Sequence, residues 1–193
     1  MHSNYLVEVD IPDSVTTIKG GAFMACTSLK EIVIPDSVTE ILTYGSWGAF
    51  SGCTSLEDVK LGNGVTKIGT RAFSGCTNLE HINLPNNITT YGGEAFYNCP
   101  KLTKVGVGIS EGIELEDGLT KIVYEMFYGA NNITEVSLPD SVITIERRAF
   151  AKCTNLQSII YKNNSHTTES SLKSAGITSI AYDSFEGTNI TKE

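Results

Sequence analysis

Residues 11–41 read IPDSVTTIKGGAFMACTSLKEIVIPDSVTEI, and the stretch contains its own opening twice. The run I-P-D-S-V-T stands at 11–16 and returns unchanged at 34–39, a shift of 23 residues. Working outward, Phe23 finds counterparts at Phe50, Phe73, Phe96, Phe127, Phe150 and Phe185. The gaps are 27, 23, 23, 31, 23 and 35 residues, which is 23 alone or 23 plus 4, 8 and 12. The period is therefore 23 with three insertions. A period of that size marks coils that cannot bury an apolar side alone and must stack on one another.

Aligning on phenylalanine exposes the other columns. Ile18, Ile41, Ile68, Tyr91, Ile122, Ile145 and Ile180 form one; Val15, Val38, Val65, Ile88, Leu119, Val142 and Ile177 lie three residues upstream of it. After the phenylalanine come Leu29, Leu56, Leu79, Leu102, Ile133 and Leu156, then Ile32, Val59, Ile82, Val105, Val136 and Ile159. The next alternate position holds Ile34, Leu61, Leu84, Val107, Leu138 and Tyr161. The segment L-x-x-I-x-L ends in the period-2 alternation of a strand with one buried face. Pro12, Pro35, Pro85 and Pro139 end it. In A-F-x-x-C-x-x-L the apolar spacing of three and four predicts a short helical turn. Gly52 and Gly75, just before the cysteine, keep that turn short. Parallel strands of successive coils would then stack about 4.8 Å apart.

The unit L-x-x-I-x-L-P-x-S-V-T-x-I-G-x-x-A-F-x-G-C resembles the BspA-type leucine-rich repeat, and residues 11–41 match it almost position by position. The departures are Met126 for the alanine, and Ala130 and Thr188 for the cysteine. The resemblance implies an α/β repeat solenoid: a leucine-rich-repeat right-handed superhelix of about seven 23-residue coils. One face would be a parallel sheet, with short helical turns opposite. The whole of 1–193 reads as a single solenoid, with insertions within 42–48, 108–118 and 162–176. Leu6, Val9 and Ile11 read as a first strand, and neither end reads as a polar cap. This predicts rudimentary ends or a segment of a longer array.

Composition narrows the function. The chain is 40% hydrophobic and 19% charged, with a formal charge of −8 and a pI near 4.9. No clustered Lys/Arg is present to bind nucleic acid or an anionic membrane surface. No run of 18 apolar residues predicts a transmembrane helix, and MHSNYLVEVD lacks the basic-then-apolar pattern of a secretion signal.

The five cysteines, Cys26, Cys53, Cys76, Cys99 and Cys153, occupy one column. A catalytic cysteine would be singular and paired with a base. Structural zinc would need closer spacings than the 23 residues that separate the nearest pair. Ala130 and Thr188 in the same column indicate a slot for a small buried side chain; a disulfide between adjacent coils is the alternative. The phenylalanines read as a core spine.

Candidate recognition residues fall in two groups. Strand side chains that point outward include Val33, Lys60, Asn83 and Ile160 in one column and His81 in the next, a mixed surface of either solvated or protein-binding character. The first insertion carries the only tryptophan, Trp47, beside Tyr44. Such aromatics either anchor a partner or fold over the core edge. The threonines Thr16, Thr39, Thr66, Thr89, Thr120 and Thr178 form a ladder whose hydroxyls could satisfy one another. Glu111, Glu114, Glu116 and Asp117 form an acidic loop without the spacing of a calcium loop. The third insertion is polar and reads as mobile.

No acid/base pair, nucleotide loop or metal constellation recurs, so the expectation is a non-enzymatic module without cofactor. The family resemblance implies a cell-surface or secreted protein that adheres to host matrix or surface proteins. A purely structural spacer is the alternative.

Overall fold

The structure, a computed structural model, describes residues 4–85, 87–105, 112–115 and 118–193. It is a solenoid whose coils each pass through two short strands and a corner. The L-x-x-I-x-L segments, joined by two strands from insertions, form an eight-stranded sheet that begins with Glu31–Ile34, Asp58–Leu61, His81–Asn83 and Lys104–Val105. It continues through Gly112–Glu114, Glu135–Leu138 and Ser158–Tyr161 to Asn164–His166. All pairs are parallel except the last. The register aligns Ile32 with Val59, Val59 with Ile82, and Val136 with Ile159, so one apolar column runs along the inside.

The V-T-x-I segments form the second side. Thr17–Ile18, Glu40–Ile41, Lys67–Ile68 and Thr90–Tyr91 make a four-stranded parallel sheet, and Lys121–Ile122, Thr144–Ile145 and Ser179–Ile180 a three-stranded one. Among the described residues the threonine hydroxyls on this side bond to backbone carbonyls rather than to one another. Thr39 donates to the Thr16 carbonyl and Thr66 to that of Thr39, each at 3.2 Å, so the ladder ties coil to coil.

At the Ala-Phe corner the seven phenylalanines stack as one column. Successive ring centroids lie 5.1–5.7 Å apart with planes within 7° of parallel. Phe50, Phe73, Phe96, Phe127 and Phe150 are fully buried. The short helical turns expected here are instead tight turns, for a reason the backbone makes plain. In the coil of Phe73, Arg71 (φ +58°) and Gly75 (φ +73°) are left-handed. The amides of Arg71, Phe73 and Gly75 donate forward to the carbonyls of Gly93, Ala95 and Tyr97 in the next coil. The amides between them, of Ala72, Ser74 and Cys76, close turns onto Gly69, Arg71 and Phe73. A helix would keep every amide within its own coil. Alternation sends every second one across, which satisfies a buried corner that a lone turn would leave short of partners. The left-handed pair recurs at Glu94/Asn98, Glu125/Gly129 and Arg148/Lys152. A left-handed non-glycine residue costs on the order of 1 kcal/mol, which the cross-coil bonds offset.

The insertions behave differently from one another. The first is a β-hairpin pairing Thr43–Tyr44 with Trp47–Gly48. The second, read as an acidic loop, contributes a strand: Gly112–Glu114 enters the main sheet between Lys104–Val105 and Glu135–Leu138. Leu115, next to it, is buried. Gly106, Val107, Glu111, Glu116 and Asp117 lie outside the described residues. The third, expected to be mobile, is ordered. Lys162 and Asn163, both left-handed, turn the chain into Asn164–His166, antiparallel to Ser158–Tyr161. Helix Glu169–Ala175 follows, its N-cap Thr168 hydroxyl accepting from the Ser171 amide at 3.1 Å and Leu172 fully buried. This insertion thus covers the edge of the strand Ser158–Tyr161, a capping role its polar sequence concealed. At the other end, residues 6–11 form no strand; Leu6 and Val9 pack part-buried on the core beside Ile11. No helix among the described residues is long and apolar enough to cross a membrane.

Candidate functional site

The cysteines lie inside. Among the described residues no disulfide joins them, and all five are buried. The thiols of Cys53, Cys76, Cys99 and Cys153 donate to the carbonyls of Phe23, Phe50, Phe73 and Phe127 in the preceding coil, at 3.0–3.2 Å. Burial pushes Cys53, Cys99 and Cys153 up to about 12, and Cys76 well up in the same direction. A thiol so held keeps its proton at neutral pH, whereas nucleophilic attack and metal ligation both use the thiolate.

The predicted recognition residues separate onto two faces. On the main sheet Val33 is 59% exposed, and Lys60 is exposed beside Asp58 at 3.7 Å. His81 and Ile160 are half-buried, and Ile160 is flanked by Ser165 of the capping hairpin. Asn83 is engaged in the fold: its side chain accepts from the Leu61 amide at 2.7 Å and donates to the Leu61 carbonyl at 3.2 Å. Tyr44 and Trp47 sit elsewhere, on the hairpin beside the corners, 71% and 52% exposed with ring centroids 6.4 Å apart. The Trp47 ring edge lies against Gly21 while half of the side chain faces solvent.

The corner face holds a constellation that sequence reasoning passed over. Three residues before each phenylalanine stand Gly20, Trp47, Thr70, Gly93, Tyr124, Arg147 and Tyr182. Next to them stand charged residues of both signs, of which Arg71, Glu94, Glu125 and Arg148 are left-handed. Arg71 donates to Glu94 twice, at 2.7 and 3.1 Å; Arg148 donates to Glu125 at 3.0 Å; Arg147 donates to Asp183 at 3.1 Å. Glu125 and Asp183 are buried, and each pairing holds its arginine further above the ordinary guanidinium value. Tyr97 stacks on Tyr128 at 4.9 Å, Arg148 lies 5.8 Å over Tyr128, and Arg147 lies 5.2 Å over Tyr182. Burial and the nearby Glu125 carboxylate hold the Tyr97 hydroxyl above its usual range; the hydrogen bond to Glu125 does the same for Tyr124. A groove of about 560 Å³ runs along this face, with Trp47, Arg71, Glu94, Tyr97, Tyr124 and Arg148 among its lining. The signal was available in the columns beside phenylalanine, which vary from coil to coil while their neighbours repeat.

Comparison with known proteins follows the same architecture. The chain is similar in structure to the leucine-rich repeat protein of T. pallidum, with a TM-score of 0.67, 27% identity and coverage of 78% of this chain and 64% of that one. A leucine-rich repeat protein from Bacteroides ovatus gives 0.71 and 26%, over 97% of this chain and 42% of that one. The pneumococcal vaccine antigen PcpA shares the fold, at a TM-score of 0.51 and 17% identity over 90% of this chain and 52% of that one. The chain thus spans less than two thirds of the length of these proteins. No functionally curated protein matches it in sequence. The description "BspA type Leucine rich repeat region" matches residues 1–111 and 108–192 with six copies, the coils whose phenylalanine, cysteine and strand columns are laid out above. The chain belongs to the BspA-type leucine-rich repeat family.

Proposed function

We propose that this chain is a non-enzymatic protein-interaction module of a cell-surface or secreted protein, adhering to a protein of a host or a neighbouring cell. The observation that carries the reading is the hairpin Thr43–Gly48, which lifts Tyr44 and Trp47 off a rigid edge with most of Tyr44 and half of Trp47 in solvent. Exposed aromatics on a fixed scaffold bind at low entropic cost and dominate contact energies. Membership of a family of repeat modules supports it, as does the saturation of the corners by cross-coil hydrogen bonds, which leaves the scaffold stiff. Val33 and Lys60 on the main sheet offer a second, more weakly marked surface.

The test is biolayer interferometry of the chain against matrix and serum proteins, beside the double variant Tyr44→Ala/Trp47→Ala. Saturable binding that the variant loses supports the hairpin as the anchor. Binding that survives moves the site to the main sheet, and a folded sample that binds nothing favours the spacer.

A further inference from the structure

We infer that the corner groove between Trp47 and Tyr124 is a binding site for a neutral, extended oligosaccharide. It goes beyond the protein-binding reading: the ligand class differs, and the groove shares only Ser46 and Trp47 with the hairpin. Its charged lining is Arg71, Glu94, Glu125 and Arg148, two of each sign, paired through the contacts at 2.7 and 3.0 Å. The groove therefore carries no net charge, and neither an anionic nor a cationic ligand gains by entering it. The ion pairs still hold hydrogen-bonding capacity. Arg71 spends Nε and Nη2 on Glu94, so its Nη1 remains for a ligand, and the serines Ser46, Ser51 and Ser74 add hydroxyls along the wall.

The aromatic groups set the second condition. Trp47 and Tyr124 stand three coils apart along the groove, 52% and 40% exposed, and Tyr97 from an intervening coil joins the lining. An exposed ring face packs against the apolar C–H face of a sugar, while fixed donors and acceptors take its hydroxyls; a neutral polar ligand with two chemically distinct faces suits both. The three coil steps from Trp47 to Tyr124 are each 5.1–5.7 Å along the phenylalanine spine, so the site is long rather than round. A peptide has less to gain here. The alternate corner amides are committed to the next coil, so no backbone row is open for strand addition.

Trp47 is the only tryptophan, so intrinsic fluorescence reports the groove directly. The probes are cellohexaose, maltohexaose, mannohexaose and chitohexaose, each titrated into the full chain up to about 10 mM, a range that covers weak sites. The variants are Tyr124→Ala and Tyr97→Ala, with circular dichroism melts to show that each is folded. At least one probe is expected to shift Trp47 emission saturably, with affinity weakened about tenfold or more by Tyr124→Ala, a change of about 1.4 kcal/mol or more. Silence of all four probes overturns the proposal. So does a shift that both folded variants leave unchanged, or a response only to a charged probe such as heparin or polyglutamate. Because no protein partner enters the assay, its failure leaves the hairpin reading standing, and loss of protein binding in Tyr44→Ala alone leaves the groove standing.

Discussion

The thiol of Cys76 donates to the carbonyl oxygen of Phe50, one coil earlier, across 3.2 Å. The column that looks reactive in the sequence is thus a set of weak, buried bonds that hold consecutive corners in step. Ala130 fills the slot in one coil without such a bond, which fixes its worth as small. Cys76→Ala is expected to cost about 1 kcal/mol, the loss of one buried atom and a weak hydrogen bond. Urea denaturation checks it; a cost above about 3 kcal/mol, the range of a large cavity, would mean the thiols do more than fill space.

Alkali tests the same column. The thiol pKa is 9.0 in the ordinary state and about 12 for Cys53, Cys99 and Cys153 in the fold. Above pH 9 the unfolded chain releases these protons while the folded chain keeps them, so the folded state binds more protons and stability falls with rising pH. Stability from neutral burial is complete below 9.0 and is lost progressively towards about 12. Thermal melts between pH 8 and 11 should show the decline, and replacing Cys53, Cys76, Cys99 and Cys153 together by alanine should make it shallower. Iodoacetamide at pH 8 should modify the folded chain far more slowly than the denatured one.

Phe73 lies between Phe50 and Phe96 with ring centroids at 5.1 and 5.7 Å and no exposure. Phe73→Ala removes a whole ring from the middle of the column and is expected to cost about 3–5 kcal/mol. A denaturation midpoint that barely moves would remove the spine from the account.

Gly48 has no room for a side chain: a Cβ there would stand 1.8 Å from the Arg71 carbonyl oxygen. Both groups are backbone, so the hairpin can only move away. Gly48→Ala is expected to destabilise by about 2–3 kcal/mol and to raise the solvent exposure of Trp47, read as a red shift in its emission.

The charge ladder divides by burial. Arg148 faces Glu125, whose side chain is 7% exposed, whereas Lys60 faces Asp58 at 39%. Arg148→Met leaves a buried carboxylate without its partner and should lower the melting temperature; Lys60→Met should leave it nearly unchanged. Equal effects would contradict the assignment.

The period, the strand columns and the phenylalanine spine were legible because each is written several times and apolar burial repeats with it. The corner geometry was not. The spacing of apolar residues in A-F-x-x-C suits a helix, and only the left-handed residues on either side of the phenylalanine redirect alternate amides to the next coil. Glycine signalled this at Gly52 and Gly75, but Arg71, Glu94, Glu125 and Arg148 take the same conformation with side chains that give no such sign. The insertions were legible in place and length, not in role. Gly112–Glu114 continues the sheet and the polar third insertion closes it, because pairing depends on which strand edge lies beside them. Of the recognition residues, Tyr44 and Trp47 stood out as aromatics in an insertion. Tyr124 and Tyr182 hid within the repeat, since exposure at a corner is set by the turn rather than by sequence alternation.

The central claim is that the corners form a continuous cross-coil ladder that holds the aromatic and charged side chains rigidly on one edge. Native-state amide hydrogen exchange, read residue by residue, tests it most directly. The amides of Arg71, Phe73 and Gly75 should exchange as slowly as those of the strand Asp58–Leu61, because both report opening between coils. Corner amides exchanging orders of magnitude faster than the strand would show the corners to be loosely attached turns, and would contradict the account.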